Sequence, residues 1–134
     1  VKNACVEAFR DQGGPVGINW NMYQIAKQVK PDFSVIDGVE GMEGNGPNGG
    51  TPIEHGVVLA SPDVVAVDRI GIELMGIDYN DVAYLQWCSQ SGLGQGDRDL
   101  IEVQGPDIAA HSERYRLHEN IDWQMEWKDG WQSG

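Results

Sequence analysis

Three carboxylates, Asp37, Glu40 and Glu43, crowd a glycine-rich run, Val35-Ile36-Asp37-Gly38-Val39-Glu40-Gly41-Met42-Glu43-Gly44-Asn45-Gly46-Pro47-Asn48-Gly49-Gly50-Thr51-Pro52. Oxygen donors at this density suit a hard divalent cation such as magnesium or calcium, and they equally suit a solvated acidic loop. With Asp68 a short way into the next helix, Asp37, Glu43 and Asp68 form the candidate cation set. Gly38, Gly41, Gly44, Asn45, Gly46 and Gly50 form a candidate cradle for a cofactor, because glycine lets the backbone approach a ligand closely. Direct phosphate binding has less support. The run lacks the lysine of a phosphate-binding loop, only Gly44-Asn45-Gly46 resembles a dinucleotide fingerprint, and the acids oppose an anion unless a metal bridges the two.

The other reactive side chains are isolated. His55 stands before an apolar run and is either a ligand or general base or a packing residue. His111 and His118 lie seven apart in the tail, with no cysteine or third histidine to complete a metal set. Cys5 and Cys88 belong to no C-x-x-C pair, so no zinc knuckle or iron–sulfur ligand motif is present. They read as small buried apolar residues, a disulfide between them being the alternative.

The elements that must position these groups follow from periodicity. Val1 to Gln12 reads as a short helix closed by Gly13-Gly14-Pro15. Ile18, Met22, Ile25 and Val29 mark one face of a second helix over about 19–30, closed by Pro31. Phe33 to Ile36 reads as a buried strand delivering Asp37 to a sheet edge, and Gly38 to Glu54 as a long loop. His55 to Ala60 reads as a second strand. Ser61-Pro62-Asp63 then supplies an N-cap, a first-turn proline and a first-turn acid for a helix to about Met75, with Gly76 as its C-terminal cap. A further helix runs from Asp78 toward Gly92, and Leu100 to Val103 reads as a last strand.

After Gly105-Pro106 the chain becomes polar and aromatic, which sets off 107–134 as an arm from 1–106. Trp123, Trp127 and Trp131 are four apart, so a helix would align them either onto the parent domain or onto a partner. The whole is 134 residues with 9 Lys and Arg against 21 Asp and Glu, a formal charge of −12. Nucleic acid and anionic membrane faces are disfavoured partners. No apolar stretch reaches the length of a membrane-spanning helix, so the chain reads as soluble, with the cytoplasm favoured. Its start at Val1, inside a helical pattern, fits a processed or truncated polypeptide.

The run from Val35 to Pro52, followed by Gly56-Val57-Val58-Leu59-Ala60-Ser61-Pro62-Asp63-Val64-Val65-Ala66-Val67-Asp68 and then Leu74-Met75-Gly76-Ile77-Asp78, resembles the domain-of-unknown-function family 362, over roughly Ile18 to Val103. The resemblance implies the C-terminal half of a larger α/β domain, a small sheet flanked by helices. It highlights Asp37, Gly38, Gly41, Glu43, Gly44, Gly46, Pro47 and Gly50 with Asp63, Ala66 and Asp68. It also implies a link to redox metabolism, since relatives are often fused to ferredoxin-like modules. His55 departs from the apolar residue expected before this strand. An incomplete sheet exposes an edge and an apolar face, which favours a protein partner or a homo-oligomer. Two functions follow as expectations: a redox-associated enzyme or accessory domain holding a metal or anionic cofactor at the loop, or a non-catalytic assembly subunit using its aromatic arm.

Overall fold

The computed structural model describes residues 14–130, so the helix expected over 1–12, Cys5 and Trp131 lie outside the described residues. Helix α1 spans Gly14–Gln28. Its first turn holds Pro15, where the missing N–H has no intrahelical partner to lose, so the proline begins the helix that it was expected to precede. Strands β1 (Ser34–Asn45) and β2 (Gly49–Ser61) follow, then α2 (Val64–Leu74), a 3₁₀ turn at Tyr79–Asp81, α3 (Ala83–Gln90), and 3₁₀ turns at Arg98–Leu100 and Ala109–His111. Short helices α4 (Ile121–Met125) and α5 (Trp127–Gly130) complete it. This is a small α/β fold, a two-stranded antiparallel sheet flanked by helices. No described helix is long and apolar enough to cross a membrane.

The sheet overturns the expected long loop. Residues 38–54 are mostly strand, paired from Ser34↔Ser61 through Gly44↔Gly50 to Asn45↔Gly49. A bulge between Gly38 and Glu40 resets the alternation of faces. Before it Ile36 and Gly38 are the more covered positions, and after it Gly41 and Glu43 are, so Glu40 is turned to the exposed face. The expected strand at 100–103 does not form. Arg98–Leu100 is a 3₁₀ turn, capped by the Asp97 carboxylate, and the chain beyond it joins no ladder.

Helix α2 packs on the inner face of the hairpin. Asp63, rather than Ser61, is its N-cap: its Oδ1 accepts from the Val65 and Ala66 amides at 3.0 Å each, while Ser61 Oγ accepts from the Asp63 amide. Asp63 Oδ2 also accepts from Gln95 N at 2.9 Å, tying the loop after α3 to this helix start. Gly71 lets α2 approach, for a Cβ there would stand 3.0 Å from Ile36 Cδ1. Gly76, at φ +68°, supplies the expected left-handed residue after the helix.

The core lies between the helices. Val65, Leu85 and Cys88 form one buried cluster, and Ala83, Trp87 and Trp127 another, joined by Trp20 and Tyr23 of α1. Trp87 meets Trp20 and Trp127 edge-on, with centroids 5.8 and 6.2 Å apart. The stripe Ile18, Met22 and Ile25, with Val29 just past the helix end, is exposed, while Trp20 and Tyr23 on the other side of α1 join the aromatic cluster.

The arm returns to the domain as a strap. Glu113 N donates to Leu74 O, Tyr115 N to Met75 O, and Gly44 N to Arg116 O, so residues 113–116 bridge the end of α2 to the far end of β1. Trp127 is buried in this chain's own core, where its Nε1 donates to Asp81 O, while Trp123 is partly exposed.

Candidate functional site

Between the inner face of the hairpin, α2, α3 and the strap lies a cavity of about 290 Å³. Ile36, Val57, Leu59, Ile72 and Met75 make its walls apolar, and Gly38, Gly41 and Gly71 leave bare backbone on two sides. Two polar pairs enter it. Asp68 Oδ2 accepts from the Tyr84 hydroxyl at 3.1 Å. His55 Nδ1 lies 2.8 Å from Tyr115 Oη, and its Nε2 lies 2.8 Å from His111 O. A carbonyl only accepts, so Nε2 carries the proton and Nδ1 accepts from the tyrosine.

The electrostatics follow from burial. Desolvation raises the Asp68 carboxyl above the usual carboxylate range, against the opposing effect of the Tyr84 hydrogen bond. Tyr84 is pushed far up by its own burial and by the adjacent Asp68. Burial, then the charges of Glu113 and Glu43, raise Tyr115. Both phenols are thus held protonated, as hydrogen-bond donors rather than as bases. Burial and the charge of Asp68 also raise the Cys88 thiol, which keeps it an apolar core residue.

The cation set expected from sequence is dispersed. Asp68 faces the cavity. Asp37 borders it but is exposed, and its Oδ1 accepts from Val39 N at the bulge. Glu43 instead binds the strap: Oε2 accepts from Arg116 N at 2.8 Å, and Oε1 lies 3.6 Å from Arg116 Nε. Among the described residues no three of His, Cys, Asp and Glu gather to hold a metal. Of the cradle residues, Gly38 and Gly41 line the cavity. Gly44, Asn45, Gly46 and Gly50 sit at the hairpin's far end, where Asn45 Oδ1 accepts from Glu119 N and Gly44 makes room for Arg116.

Tyr84 and Tyr115 were not among the residues singled out in the sequence. Asp68 carried the available signal for Tyr84, since an acid beside the Val64, Val67, Gly71 and Leu74 face needs a donor. Tyr115 had none, because it lies in a strap without a period. A second cleft, of about 860 Å³, runs between α1, residues 76–82 and the arm. Its acids are already engaged, Asp78 with Asn80 and Asp81 with Lys128.

The sequence model of the family described as "Domain of unknown function (DUF362)" matches residues 5–73, and the chain belongs to that family. The match takes in the glycine-rich hairpin and Asp68 but ends before Tyr84, short of the Val103 limit of the motif resemblance. Over 79 residues the chain is 42% identical to the "Thylakoid-associated protein sll1697" of Synechocystis sp., covering 59% of this chain and 25% of that protein. The chain thus spans about a quarter of the length of this curated relative. No solved structure matches.

Proposed function

We propose that this chain is the small-ligand-binding part of a family 362 domain, with the ligand held between the hairpin and α2. The carrying observation is the pair of hydrogen-bonded couples, Asp68–Tyr84 and Tyr115–His55, set into an apolar cavity floored by glycine. Apolar walls with a few convergent polar groups are the ordinary make-up of a ligand site, and the volume suits a small molecule or one moiety of a cofactor. The lining holds acids and no Lys or Arg, which favours a ligand offering donors, such as an amide, hydroxyl or ammonium group, over the anionic cofactor expected at the outset. A divalent cation at Asp37, Glu43 and Asp68 would require Glu43 to leave Arg116, so that reading ranks behind the small ligand. The redox-linked setting rests on the family resemblance, beside a relative named as thylakoid-associated.

The aromatic-arm reading is weaker, because Trp127 is committed to this chain's own core. Two-dimensional amide NMR with a set of small amides, alcohols and amines tests the proposal. Shifts should gather at Gly38, Gly71 and Tyr84 and weaken in Asp68→Asn. Shifts confined to the cleft under the arm, or none at all, would refute it.

A further inference from the structure

Tyr115 is 7% exposed and stands between two spaces: among the described residues it alone lines both the 290 Å³ cavity and the 860 Å³ cleft under the arm. Its ring lies over Gly41 in the cavity, while its neighbours Arg114, Arg116 and Leu117 line the cleft. Tyr115 N donates to Met75 O, so the ring closes the cavity at the end of α2.

The cavity has a direction. Asp68 and Met75 both line it, and the helix between them carries the site about 10 Å along α2 at the rise of an α-helix. The hairpin runs the same way, from Ile36, whose Cδ1 faces Gly71, to Gly41 under the ring. The two ends differ in chemistry. Asp68 Oδ2 accepts from Tyr84, and Oδ1 has no hydrogen-bond partner among the described residues. At the other end the polar groups satisfy one another, Tyr115 Oη donating to His55 Nδ1 and His55 Nε2 to His111 O. The side chains of Ile36, Leu59 and Ile72 offer only hydrocarbon to the space they line.

We infer that the ligand of the cavity is a hydrogen-bond donor on a short apolar tail, with the donor on Asp68, and that the Tyr115 ring fixes the greatest length of tail accepted. This rests on the small-ligand reading of the cavity. A head group on Asp68 directs its tail along the apolar walls, and the ring stops the tail before the cleft. Each methylene laid on those walls adds about fourfold in affinity, the worth of a buried CH₂, until the tail reaches the ring. Without the ring the tail continues toward the cleft, where Leu117 and Trp123 supply more apolar surface.

Straight-chain primary alcohols from ethanol to octanol test this on the full chain, with dissociation constants read from the amide shifts of Gly38 and Gly71. Alcohols carry the donor without a charge, so the net charge of −12 does not draw them elsewhere on the surface. In the parent, affinity should climb with length and then fall by about tenfold once the tail meets the ring, the cost of overpacking. Tyr115→Ala should move the break to longer alcohols. Tyr115→Phe, which keeps the ring but loses the bond to His55, should leave the break where it is. Affinity that climbs through the whole series in the parent would overturn the inference, even if the alanine variant failed to fold. So would a break that stays in place in Tyr115→Ala, or one that moves as far in Tyr115→Phe, since the strap rather than the ring would then set it. If no alcohol shifts Gly38 or Gly71 in any of the three proteins, the ligand reading itself falls, and the inference with it.

Discussion

The hydroxyl of Tyr115 donates to Nδ1 of His55 at 2.8 Å, and through that bond the C-terminal strap is fastened to the inner face of β2. The other ring nitrogen donates to His111 O, so one imidazole holds two points of the same returning segment. His55→Ala should cost about 1–2 kcal/mol, since it leaves a buried phenol without its acceptor. In a double-mutant cycle with Tyr115→Phe, denaturant unfolding should give a coupling of about 1 kcal/mol. Additive losses would mean that the His55–Tyr115 bond does not help to hold the strap.

Gly41 lies under the Tyr115 ring, and a Cβ there would fall inside the contact distance of the phenol oxygen. Gly41→Ala should therefore displace Tyr115 from His55 and cost about 1–3 kcal/mol, as overpacking of a tight contact does. Gly56→Ala is the useful comparison. Nothing stands near that Cβ, so its cost comes from a φ of +73° alone. Hydrogen exchange should show loss of protection at the Tyr115 and Arg116 amides in the first variant and retention in the second.

The helices were legible in outline because their signals are local. Asp63 and Gly76 bound α2 at both ends, and the acid beside its core face announced Asp68. The hairpin was hidden, because its glycines read as a loop. They are needed where Tyr115, Arg116 and Met42 lie over the strands, which is a tertiary reason that no period in the sequence records. The strap was hidden for a related cause, since backbone groups fasten it at Leu74, Met75 and Gly44. The α1 stripe was legible as a stripe but not in its direction. Aromatic residues on its opposite side decided which face met the core.

Trp127 is 7% exposed and packs against Ala83 and Trp87, with its indole N–H on Asp81 O. Trp127→Ala should lower stability by about 3–5 kcal/mol, the cost of emptying a buried aromatic site. Trp123→Ala, at a side chain 44% exposed, should cost much less. Thermal unfolding with sedimentation separates the two roles. A Trp127 variant that kept its melting temperature but lost association would place this residue at an interface instead.

Asp68 links stability to pH. Burial raises its carboxyl in the folded state, so the folded chain holds this proton to a higher pH than the unfolded chain does. The stabilising contribution is therefore present in acid and is lost as pH rises from the ordinary carboxylate range through the raised value. Asp68→Asn keeps an acceptor for the Tyr84 hydroxyl and removes the charge. Its stability relative to the parent should rise with pH across that window and level off above it. Tyr84→Phe removes the donor instead, leaves Asp68 with desolvation alone, and should cost about 1–3 kcal/mol at neutral pH. Urea unfolding of the three proteins from acid to neutral pH would show this. If the Asp68→Asn difference stays flat, the carboxyl ionises in its ordinary range and the cavity is wetter than its apolar walls imply; if it falls as pH rises, the carboxyl is held below that range and the Tyr84 hydrogen bond outweighs burial.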